Sequence, residues 1–226
     1  MIQSHYVMPY SVSQAFVQPE DVISIRLFIV YGGYLATILT CVFALIIPTE
    51  MVEMHEKDSL LYISEGFQRK CGWSIVLLGT CSVFNIFVQL VAVCHIPNKA
   101  FLCFFILLEA VGWFIVLGIE GTGWDIHYGG LAVFLIGIIV YHWFVSHNNV
   151  FGGEYYRAVL YVTICAALIF TVLARISLSD TSKLELKSFA VSTEFMLCIL
   201  VCILQIFLLY GLDQFDSIHV VFHKRY

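Results

Sequence analysis

Charge is what this chain has least of. Asp, Glu, Lys and Arg make up 12% of its 226 residues, and 61% are hydrophobic, with a mean hydropathy of +0.92. Soluble domains run to about one quarter charged residues, so most of this surface must face something other than water. That excludes an ordinary soluble globular protein. The chain carries a formal charge of only −5 and no Lys/Arg cluster, which excludes nucleic acid as a partner and argues against recognition of a strongly anionic lipid surface. Motifs that announce common chemistries are missing as well. No His-Glu-x-x-His, no Gly-x-Ser-x-Gly and no phosphate-binding glycine-rich loop is present. Residues 1–23 show no basic segment followed by a short apolar core and a small-residue cleavage site, so no cleaved signal peptide is expected.

What the chain does have is long apolar runs. Six of them, at 24–47, 72–94, 100–119, 127–146, 157–174 and 188–210, are long enough to cross a membrane, which takes about 20 helical residues for a hydrocarbon core of roughly 30 Å. The runs are continuously apolar, without the two-residue alternation of outer-membrane strands, so helices are expected rather than a barrel. The fold class is therefore all-α: a polytopic membrane protein built as a compact bundle of six transmembrane helices over 24–211. An N-terminal segment, 1–23, precedes it and a tail, 212–226, follows.

Most links are short, as in "HIPNK", "SHNNVFGGEYY" and "RISLSDTSKLELK", which makes sequential helices antiparallel neighbours. The longest link, 48–71, mixes acids and bases, and its "LLYIS" suits a return along the membrane surface. Six spans put both termini on one side. Arg26, Lys99, Arg157, Lys224 and Arg225 fall on that side, against Lys57, Arg69, Lys70, Arg175, Lys183 and Lys187 opposite. Five against six gives no orientation by the positive-inside rule, and no Asn-x-Ser/Thr sequon marks a lumenal loop. Seven of the eight cysteines (Cys41, Cys81, Cys94, Cys103, Cys165, Cys198 and Cys202) fall inside spans, with Cys71 at an entrance. That is packing material, not a secreted disulfide framework.

Ionisable groups inside a span cost about 2.5–3.5 kcal/mol on insertion scales, which makes each a functional candidate. Glu109 lies mid-helix in "FFILLEAVGWF", and Glu194 sits a turn or two inside the last span in "AVSTEFML". Each has a structural alternative. Glu109 can bond Asn85, Gln89 or a backbone carbonyl and simply tie helices together, and Glu194 can pair with Arg175 or Lys187 near the interface. Asn85 and Gln89, one turn apart, read as helix–helix glue. His142, within "YHWF", reads as part of an aromatic belt. Ligation of a cofactor fails on count. His127 and His142 are about 22 Å apart along one helix, yet only His95 is available opposite them. His219 and His223 in the tail lack companions for zinc. No cofactor and no metal ion is expected.

The stretch "GIEGTGWDIHYGG", 118–130, concentrates polarity between two spans. Trp124 and Tyr128 suit the headgroup region, and Asp125 stands where a carboxylate caps free helix amides. Gly121, Gly123, Gly129 and Gly130 permit turning and close approach. Chemistry alone reads this stretch as a capped interfacial hairpin, with His127 in the first turn of the fourth span.

Four features together resemble a known superfamily. A mid-membrane acid in the third span, Glu109, is followed by "WDIH", Trp124–His127, at the start of the fourth, its histidine eighteen residues on, with "AVFLIG" after it. An arginine, Arg175, ends the fifth span. Glu194 and Phe195 stand early in the sixth, and Asp213 and Phe215 follow it. Over roughly residues 24–216 the chain resembles the FRAG, DRAM and SFK membrane proteins. It is most similar to the post-GPI-attachment-to-proteins factor two branch and to the N-terminal part of the yeast CWH wall protein.

The resemblance implies cytosolic termini and residence in Golgi or ER membranes. It further implies a part in GPI-anchor lipid remodelling, at reacylation of the lyso-GPI intermediate, with a membrane lipid or GPI-anchored substrate and a membrane-protein partner. On that reading His127, Glu109 and Glu194 form the candidate catalytic set, with His127 as general base. Arg175, Asp125 and Trp124 would meet the lipid headgroup. No standard acyltransferase motif accompanies them. The alternative is a non-enzymatic scaffold or regulator of the DRAM or SFK type, in lysosomal or plasma membranes, acting in autophagy or phosphoinositide organisation. A transport pathway through Glu109, Asn85 and Gln89 is a third class. Chain position places His127, Arg175 and Glu194 near one membrane surface, and their convergence is the geometric expectation.

Overall fold

The computed structural model describes residues 22–52, 73–118, 124–148, 151–179, 184–215 and 219–221. Among the described residues six helices carry the fold: α1 (Arg26–Val52), α2 (Trp73–Val93), α3 (Lys99–Gly118), α4 (Trp124–Ser146), α5 (Glu154–Ser179) and α6 (Leu184–Asp213). All six are long and apolar enough to cross a membrane. Several outrun their apolar stretches, notably α5 with 26 residues and α6 with 30. At 1.5 Å per residue α6 is about 45 Å long, half again the hydrocarbon thickness. Helical hydrogen bonding does not stop where apolarity stops, so polar ends such as Glu154 and Lys187 continue the helices beyond it. The "LLYIS" segment of the long link lies outside the described residues.

Each helix packs against the next in sequence, and α6 returns to α1, closing a ring; α2 also touches α6 across it. The α3–α4 pair is the most intimate. A Cβ on Gly112 would stand 2.3 Å from the backbone nitrogen of Phe134, and one on Gly137 would stand 2.5 Å from that of Glu109. Only glycine lets these two backbones meet. Lipid offers apolar helices no hydrophobic drive to associate, so close packing of this kind and interhelical hydrogen bonds hold a bundle together. Outward faces are greasy: Leu27, Phe28, Leu107, Phe114, Leu168 and Phe189 are all exposed. Water would not tolerate so continuous an apolar surface, and acyl chains would.

The largest core cluster sits toward the end of the bundle where the described chain begins and ends. It joins Ile29, Val88, Leu102, Tyr141, Leu160 and Leu208, one from each helix. At this end Arg26 of α1 forms an ion pair with Asp213 of α6 at 2.8 Å and donates also to its backbone carbonyl at 2.7 Å. Phe215 packs against His95 and Phe151 with its ring tilted to theirs. Two short strands, β1 (Val22–Ser24) and β2 (His219–Val221), pair antiparallel with Ile23 opposite Val220. The ribbon therefore places both ends of the described chain together.

Candidate functional site

Polar side chains gather midway through the ring, and α2 organises them. Asn85 and Gln89 lie one turn apart, so both point inward. Asn85 accepts from Thr37 of α1 at 3.1 Å and donates toward Thr40 at 3.5 Å. Gln89 is nearly solvent-free at 1% exposure, and its side-chain nitrogen donates to Glu109 Oε1 at 3.2 Å and Gln205 Oε1 at 3.5 Å. Gln205 in turn donates to the Asn85 carbonyl at 3.4 Å, and Tyr141 donates to that of Gln89 at 3.2 Å. Side chains from α1, α2, α3, α4 and α6 thus form one network. Of the partners open to Glu109 in the sequence, the structure selects Gln89.

Beside this network lies a cavity of about 120 Å³. Glu109, Gln89 and Glu194 reach its wall, and most of the remainder is apolar, including Val116, Leu131, Phe134 and Leu197. Glu109 is 5% exposed and Glu194 8%, so both carboxyl groups are inside the bundle. Among the described residues, Glu109 Oε2 and Gln89 Oε1 have no hydrogen-bond partner. The sixth helix presents Cys198, Cys202 and Gln205 to the same space at helical spacing, and Cys202 also meets Cys41 of α1.

The other candidates sit nearer the α4 N-terminus. His127 is buried in the first turn of α4. Arg175 is exposed and lines a separate groove of about 340 Å³ between α4 and α5, together with Tyr128, Gly129 and Phe170. Leu131 and Leu135 contribute to both hollows, so the groove and the cavity are separated by one layer of side chains. The structure brings Glu109 and Glu194 to one space and Arg175 to its neighbour. His127 stands one turn before Leu131 and lines neither. Arg175 forms no ion pair with Glu194 among the described residues. Trp124 and Asp125 belong to the first turn of α4, while 119–123 lie outside the described residues.

Two features were not visible in sequence. His142 is completely buried, with Nδ1 against the Tyr156 hydroxyl and its ring edge-on to Tyr141. It belongs to the core, not to an aromatic belt. The neighbouring "YHWF" residues that do face outward are Trp143 and Phe144, and helical geometry separates them from His142 by about 100° per residue. The Arg26–Asp213 pair was also hidden, since 187 residues separate its members. Outside the spans, His95 is held below the ordinary histidine range by partial burial and, second, by the nearby charge of Lys99. Among the described residues no group of His, Cys, Asp and Glu is arranged to hold a metal ion. No family model, curated protein or solved structure matches the chain.

Proposed function

We propose that this multi-pass membrane protein takes part in GPI-anchor lipid remodelling in Golgi or ER membranes, with its termini in the cytosol. The observation that supports the reading is the intramembrane cavity in which Glu109 and Glu194 stand among apolar walls. An acyl chain is the natural guest of such walls, and a carboxyl group among them can hold or move a proton at a lipid hydroxyl. GPI specificity comes from the resemblance carried by Glu109, "WDIH", Arg175 and Glu194. On this reading Arg175, with Trp124 and Asp125 at the α4 N-terminus, meets the headgroup. His127, Glu109 and Glu194 serve the chemistry, in this chain or in support of a partner enzyme.

Deleting the gene and measuring GPI-anchored proteins at the cell surface and in the medium tests this. Surface display should fall and release into the medium should rise, and wild-type chain should restore both. If neither quantity changes on deletion, the proposal is wrong.

The polar network supports a second reading, a scaffold or regulator in lysosomal or plasma membranes whose buried polar groups only hold five helices in register. Glu109→Gln and His127→Ala separate the two. A scaffold loses expression or thermal stability together with activity. A lipid-remodelling site loses activity while the variants remain folded and correctly located.

A further inference from the structure

Helices α4 and α5 are loosely joined for neighbours in the ring. Gly129 and Ala132 on α4 and Ala174 on α5 are too small to fill the space between them, which is the groove of about 340 Å³. A Cβ on Gly129 would meet nothing within 4 Å. Gly129, Ala132 and Thr171 are exposed on the bundle surface, so the groove opens sideways onto the bilayer.

Its two ends differ. The apolar span of α4 begins at Ile126 and that of α5 ends at Ile176, so Tyr128 and Arg175 stand at one membrane surface while Leu135 and Phe170 lie deeper. From Tyr128 to Leu135 the groove runs about 10 Å along α4, roughly a third of the hydrocarbon thickness. Polarity is confined to the outer end. The Thr171 hydroxyl donates to the Ala167 carbonyl at 2.7 Å, and among the described residues no Asp, Glu, Lys or His joins Arg175 on the wall.

A guanidinium matches two phosphate oxygens at once. One arginine makes no basic patch, but it does match one phosphate. A free phosphate would satisfy Arg175 and leave the apolar slot beneath it unfilled, and a neutral lipid would do the reverse. A phospholipid does both. A zwitterionic head would bring a second cation to an arginine with no acid beside it on the wall, which favours an anionic head.

We propose that the groove between α4 and α5 holds one anionic phospholipid, with its phosphate on Arg175 and the upper part of one acyl chain between Ala132 and Ala174. The inference rests on reading Arg175 as a headgroup residue and adds the charge of the head and the place of the chain.

The test uses the full chain in phosphatidylcholine nanodiscs that carry, in turn, equal amounts of three photoreactive lipids with identical chains: phosphatidylglycerol, phosphatidylcholine and diacylglycerol. Labelling of the α4 and α5 groove peptides, located by mass spectrometry, is divided by labelling of the outward face of α3, where Leu107 and Phe114 are exposed. The phosphatidylglycerol ratio should exceed that of diacylglycerol about fivefold, on the scale of one exposed charge pair, with phosphatidylcholine between them. Arg175→Gln should bring the three ratios together, and Arg175→Lys should retain most of the preference. Ala132→Phe, which fills the groove and leaves Arg175 in place, should lower the phosphatidylglycerol ratio by a similar factor. Equal ratios in the wild-type chain mean bulk lipid contact only and overturn the proposal. So does a preference that survives Arg175→Gln in a protein that unfolds at the wild-type midpoint. Should that variant fail to fold, Ala132→Phe decides, and an unchanged ratio there overturns the proposal. The cellular phenotype is scored separately. Phospholipid selectivity without a GPI phenotype removes the GPI reading and leaves this one, and the phenotype without selectivity does the reverse.

Discussion

Gln89 has one side-chain nitrogen, and that nitrogen serves both Glu109 and Gln205. Replacing it by leucine keeps the volume and removes the donor, stranding two buried acceptors. Gln89→Leu should therefore lower the unfolding free energy by about 1–3 kcal/mol, measured in mixed detergent micelles. Gln214→Leu, at an exposed position just beyond α6, should change it little. Adding Glu109→Leu to Gln89→Leu should recover part of the loss, because removing both partners strands fewer groups than removing one. His95 offers a pH handle outside the membrane. Its folded pKa lies below the ordinary value near 6.5, so the unfolded chain takes up the proton first as pH falls. Stability from this group is whole above that ordinary value and is lost as pH drops toward the lower folded one. His95→Phe should retain the Phe215 contact and flatten that part of the stability–pH curve; equal slopes in both proteins would remove His95 as the cause. At this scale the sequence is informative about cost and silent about partners. A mid-span acid such as Glu109 announces itself, whereas its choice of Gln89 over Asn85 depends on the depth at which α2 lies against α3.

Helices α3 and α4 meet through glycine, and the pair shows what periodicity does to adjacent residues. Gly129 and Gly130 look equivalent in "HYGGLAV". In the structure a Cβ on Gly130 would lie 2.4 Å from Ile115 Cγ2, whereas one on Gly129 would meet nothing within 4 Å. Adjacent helical residues point about 100° apart, so only one of the two can face α3. Gly112→Ala and Gly137→Ala both press on neighbouring backbone, which cannot rotate away. Each should cost about 1–3 kcal/mol or more. Gly129→Ala should be neutral or stabilising by up to about 1 kcal/mol, because alanine favours helix where space is free. Thermal unfolding of the three variants in nanodiscs orders them, and a Gly129→Ala loss as large as that of Gly137→Ala would contradict the close crossing. Existence and number of the helices are legible in apolar runs alone. Their polar extensions are not, because helix length and membrane thickness are separate constraints.

At the scale of the whole molecule, an apolar exterior, a polar seam and a closed ring make a bundle whose ends must be secured by something other than lipid. The two ends of the described chain contribute to this. The three-residue strands β1 and β2 carry no local signal of their own and pair across nearly the whole chain, so periodicity could not have found them. The neighbouring Arg26–Asp213 bond is only partly buried, at 31% and 40% side-chain exposure. Such a pair is worth about 0.2–1 kcal/mol, too little to close the ring by itself. The direct packing of α6 on α1, the strand pairing and the ion pair act together. The register makes this testable. Antiparallel partners lie about 4.5–5.5 Å apart at Cα, within disulfide range. In a chain with its native cysteines replaced by serine, Ile23→Cys with Val220→Cys should cross-link under mild oxidation. A protease site inserted at 119–123 then reports the result, since the two halves stay joined on a non-reducing gel and separate on a reducing one. Ile23→Cys with His219→Cys, one residue out of register, should cross-link far less. If both pairs react equally, the ends are close but not paired. If neither reacts, the ribbon is not what holds α1 to α6, and the packing of the two helices with the Arg26–Asp213 bond carries the closure.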